Sequence, residues 1–360
     1  MAKRFQWFVA CIEFVFYKYI IHIDDGCIWK FDHYAPSLWE NHWVKNINQF
    51  QNKVCEVLAE VDELNKSISV LRRISELQQT FYNASSSSAT DQYLSELHYH
   101  LSCSHESSPR LYIAHKIEPL IGLTRDPLTI CPPLPTVPAE LYLEGEYAVQ
   151  SKRFILMGPS APYSNFLYNR SALPPWLFST RSNARTPQII LFDIGSSYFN
   201  SRDSAQPGPH IGSRWFYEYF KNKSILLDRI VAFEYTPLVP RTAWEQLPLD
   251  VLPIYTLINV GVEENGRFNP WSILQAITKP NDYVLVKLDI DEDALEYSLV
   301  QQIIQSQKLQ SLIDELFFEM HVTVPAMHKY WGTFRNKTLA DTYEFFTQIR
   351  ELGIRMHSWP

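Results

Sequence analysis

The chain is 360 residues long, 46% hydrophobic and 20% charged, which argues against a small stapled scaffold, wholesale disorder or a multi-span membrane protein. At about 100–200 residues per domain the length predicts two or three structural units, one of them large enough for a substantial core. A net charge of -7, from 39 acidic and 32 basic residues, gives no uniform positive field for a phosphate backbone, so nucleic acid is not an expected partner. The cysteines stand at 11, 27, 55, 103 and 131, an odd number with no C-x-x-C pair. That pattern argues against a zinc ribbon, a thioredoxin-like centre or a closed disulfide framework.

Residues 1–43 open with Met1-Ala2-Lys3-Arg4 and an apolar, aromatic run from Phe5 to Ile23, about the length that spans a bilayer as a helix. Glu13, Lys18 and His22 interrupt it, and a charge at mid-span costs about 2.5–3.5 kcal/mol. Two readings follow. One is a signal anchor with its basic head in the cytoplasm, a type II arrangement in a secretory-pathway membrane such as the Golgi. The other is a buried packing helix in a cytoplasmic protein.

Within 44–82, Ile47, Phe50, Val54, Val57, Val61, Leu64, Ile68 and Leu71 alternate at spacings of three and four. These are heptads of a parallel coiled coil, implying a homodimer through residues 44–80. Leu58 and Ile74 widen the stripe, so an amphipathic helix packed on the body of the protein fits equally. Residues 83–109 begin with the polar stretch Asn83 to Thr90 and read as a Ser-rich linker. Residues 110–185 are a proline-rich lead-in, containing Cys131-Pro132-Pro133-Leu134-Pro135 and Pro174-Pro175, which forbids long helices. Ser151 to Gly158 is the strand candidate there.

From 186 to 360 short apolar runs alternate with helical stretches, the spacing of consecutive βα units. The runs are Ile189 to Ile194, Ile230 to Phe233, Ile254 to Val260, Tyr283 to Ile290 and Leu316 to Val322. Near-continuous Ile, Leu, Val and Phe mark strands buried on both faces. Trp215 to Phe220, Trp271 to Ile277, Leu295 to Ile304 and Asp341 to Leu352 read as covering helices. The expected fold is therefore an open, mostly parallel α/β sheet, Rossmann-like, behind an N-terminal helical stem.

In such sheets ligands bind beyond the carboxyl ends of the strands. The first run ends in Asp193-Ile194-Gly195-Ser196-Ser197, where the glycine permits close backbone approach and the acid can hold polar groups of a nucleoside or amino-acid moiety. The second ends in Glu234, suited to accepting from ribose hydroxyls. Either acid also reads as a solvated strand-end carboxylate. Alternation places Asp289 with Asp291, and Glu319 with His321, on one side of their strand ends. If the strands are neighbours, the group could bind a divalent cation, pair a general base with a substrate hydroxyl, or form a polar cluster with Lys287 as counter-charge.

The order Phe192-Asp193-Ile194-Gly195, Val231-Ala232-Phe233-Glu234, Leu257-Ile258-Asn259-Val260-Gly261-Val262 and Val286-Lys287-Leu288-Asp289-Ile290-Asp291, with Glu296 following, resembles the S-adenosylmethionine-dependent methyltransferases of the FkbM type. The resemblance covers residues 186 to 322, with Glu351 to Trp359 as the last strand. Ser213 to Phe216 and Ile313 to His321 are also similar to a helix start and a strand of methyltransferase-like proteins. The resemblance implies a class I methyltransferase-like fold with S-adenosylmethionine as cofactor. Asp193, Gly195 and Ser196 would lie near its methionine part, Glu234 on the ribose, Asn259 beside the adenine and Asp289 near the sulfonium or the acceptor. Asp291 or His321 would take the acceptor's proton, and no metal ligand is assigned. Ser197 stands where the family has a second glycine, and Asp291-Glu292 replace its Glu-Gly.

Three functions stay open on these residues. The first is O-methylation of a small-molecule or glycan acceptor. The second is a metal-dependent Golgi-type glycosyltransferase using Asp289-x-Asp291, in keeping with sequons at Asn65, Asn83, Asn169, Asn222 and Asn336. The third is a non-catalytic scaffold that keeps the fold.

Overall fold

A computed structural model of the chain describes residues 27–45, 95–104, 111–117, 120, 187–200, 212–222, 225–320 and 339–359. The run Phe5 to Ile23, the heptads, the Ser151 to Gly158 segment and His321 lie outside the described residues. No helix among the described residues is long and apolar enough to cross a membrane.

Strand β1 (Cys27–Ala35) is followed by helix α1 (Leu38–Lys45). With β2 (Ser95–Cys103) and β3 (Leu111–Ile117) the first strand forms an antiparallel sheet in the order β1-β2-β3. These strands fall in segments read from the sequence as an anchor or packing helix, a Ser-rich linker and the proline-rich lead-in. Their cause is period-2 patterning: in β2 Ser95, Leu97, Tyr99, Leu101 and Cys103 are buried while the residues between them are half-buried. The register sets the backbone of Cys27 opposite that of Cys103, and Cys103 is disulfide-bonded. An odd cysteine count leaves one thiol over but does not forbid a bridge.

The remaining strands are β4 (Ile189–Ile194), β5 (Arg229–Phe233), β6 (Tyr255–Ile258), β7 (Tyr283–Leu288), β8 (Glu315–Phe318) and β9 (Arg355–Ser358). They pair in parallel throughout, in the order β6-β5-β4-β7-β8-β9. The helices between them are α2 (Ser213–Asn222), α3 (Pro240–Glu245), α4 (Pro270–Ile277), α5 (Asp293–Gln305), α6 (Gln307–Gln310) and α7 (Leu339–Glu351). The expected open parallel α/β sheet is present; β4 matches its apolar run, while β6, β7 and β8 are shorter than theirs.

Every residue of β4 and β7 is buried, because alternate side chains enter two different cores. Ile190, Phe192, Val284 and Val286 point to one, shared with Trp271 of α4, Leu299 of α5 and Phe346 of α7. Ile189, Leu191 and Leu285 point to the other, where Phe216 and Phe220 of α2 meet Leu97 and Tyr99 of β2. The antiparallel sheet thus takes part of the place that helices occupy on the opposite face. Burying a Leu, Ile, Val or Phe side chain contributes about 1.5–3 kcal/mol each, so the two cores dominate the stability of this arrangement.

Candidate functional site

Strand β4 leads to β5 on one side, while β7 lies on its other side after a crossover. The carboxyl ends of β4 and β7 therefore flank the point where the sheet's strand order reverses, the position at which α/β sheets open a crevice. Gly195 makes the turn after β4 with a φ of 84°. A Cβ there would lie 1.8 Å from the carbonyl oxygen of Asp289, so the close approach that requires glycine is to the end of β7 itself. The turn is tied to β5 by Gly195 and Ser196 N–H donating to the Phe233 carbonyl at 3.0 and 2.9 Å.

Between the two strand ends sits Lys287, 3% exposed. Its Nζ lies 3.5 Å from Asp193 Oδ1 and 3.3 Å from Asp289 Oδ2, and donates to the Gly195 carbonyl at 2.7 Å. Burial works against the ammonium, but Asp289 and Asp193 outweigh it and hold its pKa above the ordinary lysine value. Asp193 is fully buried, and its Oδ2 also accepts from the Ser213 hydroxyl at 2.6 Å. Ser196 is buried beside it. Asp289 is partly exposed, and its Oδ2 accepts from Trp359 Nε1 at 3.1 Å. One buried ammonium thus joins the first strand end, the fourth strand end and the extreme C-terminal strand region.

Glu234 follows β5 at the rim. Its Oε2 accepts from Ser197 N–H at 2.7 Å and its Oε1 from Thr236 N–H at 2.6 Å. Asn259 follows β6 and is exposed. Its amide donates to the Glu234 and Thr236 carbonyls at 2.7 and 2.8 Å and accepts from Leu238 N–H at 2.7 Å. These bonds fix the loop after β5, on which Tyr235 is 83% exposed. Gly261 lies under the Tyr235 ring: a Cβ there would meet it at 2.6 Å.

On the other side of Lys287, Asp289, Asp291 and Glu319 each bring a carboxylate oxygen within 4.8 Å of the others. Strand alternation does not account for this, because β7 ends at Leu288. The chain instead turns through a left-handed residue, Asp291, with φ 55°, which brings its carboxylate back to the group. Glu319 comes from the end of β8, the next strand. Glu296 of α5 is buried against them, with Oε1 accepting from Ile290 N–H at 2.7 Å.

Of the residues singled out from the sequence, the structure brings Asp193, Gly195 and Asp289 together around Lys287 with Ser196 in the adjoining turn, sets Glu234 at the start of the loop after β5 with Asn259 reaching it from the end of β6, and joins Asp291 to Asp289. The parts that sequence reasoning missed are Ser213, Trp359 and Glu296 as members of this group. Ser213 and Glu296 stand at or near helix starts that follow strand ends, a recognisable position. Trp359 had no such signal. A groove lined by Val44, Tyr343, Thr347 and Glu351 between α1 and α7 shares none of these residues.

Comparison with known proteins gives no match: no family model matches the chain, and neither does any curated protein or solved structure.

Proposed function

We propose that the chain is an S-adenosylmethionine-dependent methyltransferase that methylates a hydroxyl of a polar, glycan-like acceptor. The observation that carries the reading is the strand order. Counted from β4, the parallel strands lie 3-2-1-4-5-6, the doubly wound Rossmann-like order in which nucleoside cofactors cross the switch point. An acidic glycine turn ends the first of these strands and a glutamate follows the second, as in the FkbM-type proteins that the sequence resembles.

The residues present fit such a cofactor. Each Glu234 oxygen accepts one backbone N–H and keeps a further lone pair, enough for two ribose hydroxyls. The exposed Tyr235 ring offers an aromatic face beside it, and Asn259 holds the loop that carries both. Asp193, being buried, acts by fixing Lys287 and the start of α2 rather than by touching a ligand. When bound, the cofactor supplies an electrophilic methyl group. The chain's own work is to align the acceptor oxygen with that carbon and to exclude water. In that alignment the exposed Asp291 carboxylate would take the hydroxyl proton of the acceptor, with His321 as the other candidate base. The Cys103 disulfide and the five sequons support a lumenal placement on the secretory route.

Calorimetric titration of the full chain with S-adenosylmethionine and S-adenosylhomocysteine tests the reading. Saturable binding of both is expected, weakened about tenfold or more in Glu234→Ala, the loss of hydrogen bonds to a charged group. The unfolding midpoint of the variant separates lost contacts from a loosened loop. Absence of heat with both compounds would remove the proposal.

A further inference from the structure

We infer that Asp289, Asp291 and Glu319 form a binding site for one divalent cation of the hard, oxygen-preferring class of Mg2+ and Mn2+. One carboxylate oxygen from each lies within 4.8 Å of the others. Oxygens that share an ion at about 2.0–2.6 Å stand no more than about 4–5 Å apart, so the three reach one ion with little movement. All three are carboxylates, which favours Mg2+, Mn2+ or Ca2+ over the softer metals that choose imidazole or thiolate.

A second observation points to the same ligand. Glu296 is 1% exposed; its Oε1 is held by Ile290 N–H, but its Oε2 is buried with no hydrogen-bond partner among the described residues. Leaving a buried acceptor unsatisfied costs about 1–3 kcal/mol. The charged groups acting on this carboxyl are Asp289, Glu319 and Asp291, the same three. Lys287 is engaged by Asp193 and Asp289, and with Asp291 and Glu319 beside Asp289 four acids stand against one ammonium, an excess of negative charge. A dication bound by the three, with a ligated water donating to Glu296 Oε2, answers both the charge and the orphaned oxygen. Asp291 is exposed, so the ion would keep solvent-facing positions, as Mg2+ sites usually do.

The cation does not depend on the methyl donor, and the sugar-nucleotide alternative also requires one. The test is therefore made without either cofactor. Full-length chain is titrated with Mn2+ and free ion followed by electron paramagnetic resonance, with Mg2+ as competitor. One Mn2+ per chain, displaced by Mg2+, is expected. Asp291→Asn and Glu319→Gln should each weaken it about tenfold or more. Asp291 is exposed, so its variant keeps the fold, and an unchanged unfolding midpoint without Mn2+ verifies that. No saturable binding, or binding equally tight in both variants, overturns the site and leaves the methyl-donor reading untouched.

Discussion

Glu40 and Glu296 are each 1% exposed, yet they live in opposite surroundings. Glu40 accepts from the Tyr34 hydroxyl at 2.7 Å, the Ser95 hydroxyl at 2.6 Å and Leu120 N–H at 2.8 Å, with Arg350 Nη1 at 3.7 Å. Arg350 in turn donates to the Tyr34 hydroxyl at 2.9 Å and to the Met356 carbonyl at 2.8 Å. The network is closed and its charges balance, and it ties α1, β1 and β2 to α7 and β9. Glu296 has one hydrogen bond, one orphaned oxygen and three carboxylate neighbours. Burial, then Asp289, pushes its carboxyl well above the usual range. A buried acid with every oxygen engaged marks the part of the molecule that holds shape, and a buried acid with an unengaged oxygen marks the part open to a ligand.

Breaking the closed side should have the largest effect. Arg350→Met leaves the Glu40 carboxylate buried without its counter-charge, and a loss of about 3–5 kcal/mol in denaturant unfolding is expected. A loss below about 1 kcal/mol would mean that the network is not what joins the two sheets.

The same side carries an acid-sensitive residue. His115 of β3 is buried against Tyr99, and burial, aided by Arg355, pushes its pKa down from 6.5 to about 3. The unfolded chain therefore binds a proton near pH 6.5 that the folded chain refuses until about pH 3. Stability is complete above that window and falls as the pH is lowered through it, on the order of 3 kcal/mol by pH 4. His115→Asn should flatten that acid limb, read as the pH dependence of the denaturant midpoint. An unchanged slope would show that this ring is already protonated in the fold.

On the open side the smallest effect is expected. Asp291→Asn removes an exposed charge from a crowded acidic group and should shift stability by no more than about 0.5 kcal/mol, while acting strongly on ligand binding. A large loss of stability would place Asp291 among the structural groups and erase the contrast.

The parallel sheet was legible because doubly buried strands write themselves as apolar runs: Ile189–Ile194 is both the run and the strand. The run from Tyr283 overshot because Asp289 and Ile290 continue its apolar and acidic spacing after β7 has ended at Leu288. Strands β1 to β3 stayed hidden, since β2 carries Ser95 inward and Glu96, His98, His100 and Ser102 outward, an alternation masked by the serine-rich flank. Pro240–Glu245 was too short and too polar to announce a helix. At the site, Lys287 was readable as a counter-charge from its place between acids. Its bond to the Gly195 carbonyl and the reach of Trp359 to Asp289 depend on tertiary packing that no local pattern encodes.

The most direct test of the proposed function, that a nucleoside cofactor sits across the carboxyl ends of β4, β5 and β7, is a crystal structure of the full chain soaked or grown with S-adenosylhomocysteine. Its ribose is expected against Glu234, its adenine beside Tyr235 and Asn259, and its sulfur towards Asp289. The compound lying elsewhere, or no bound compound at saturating concentration, would contradict the claim.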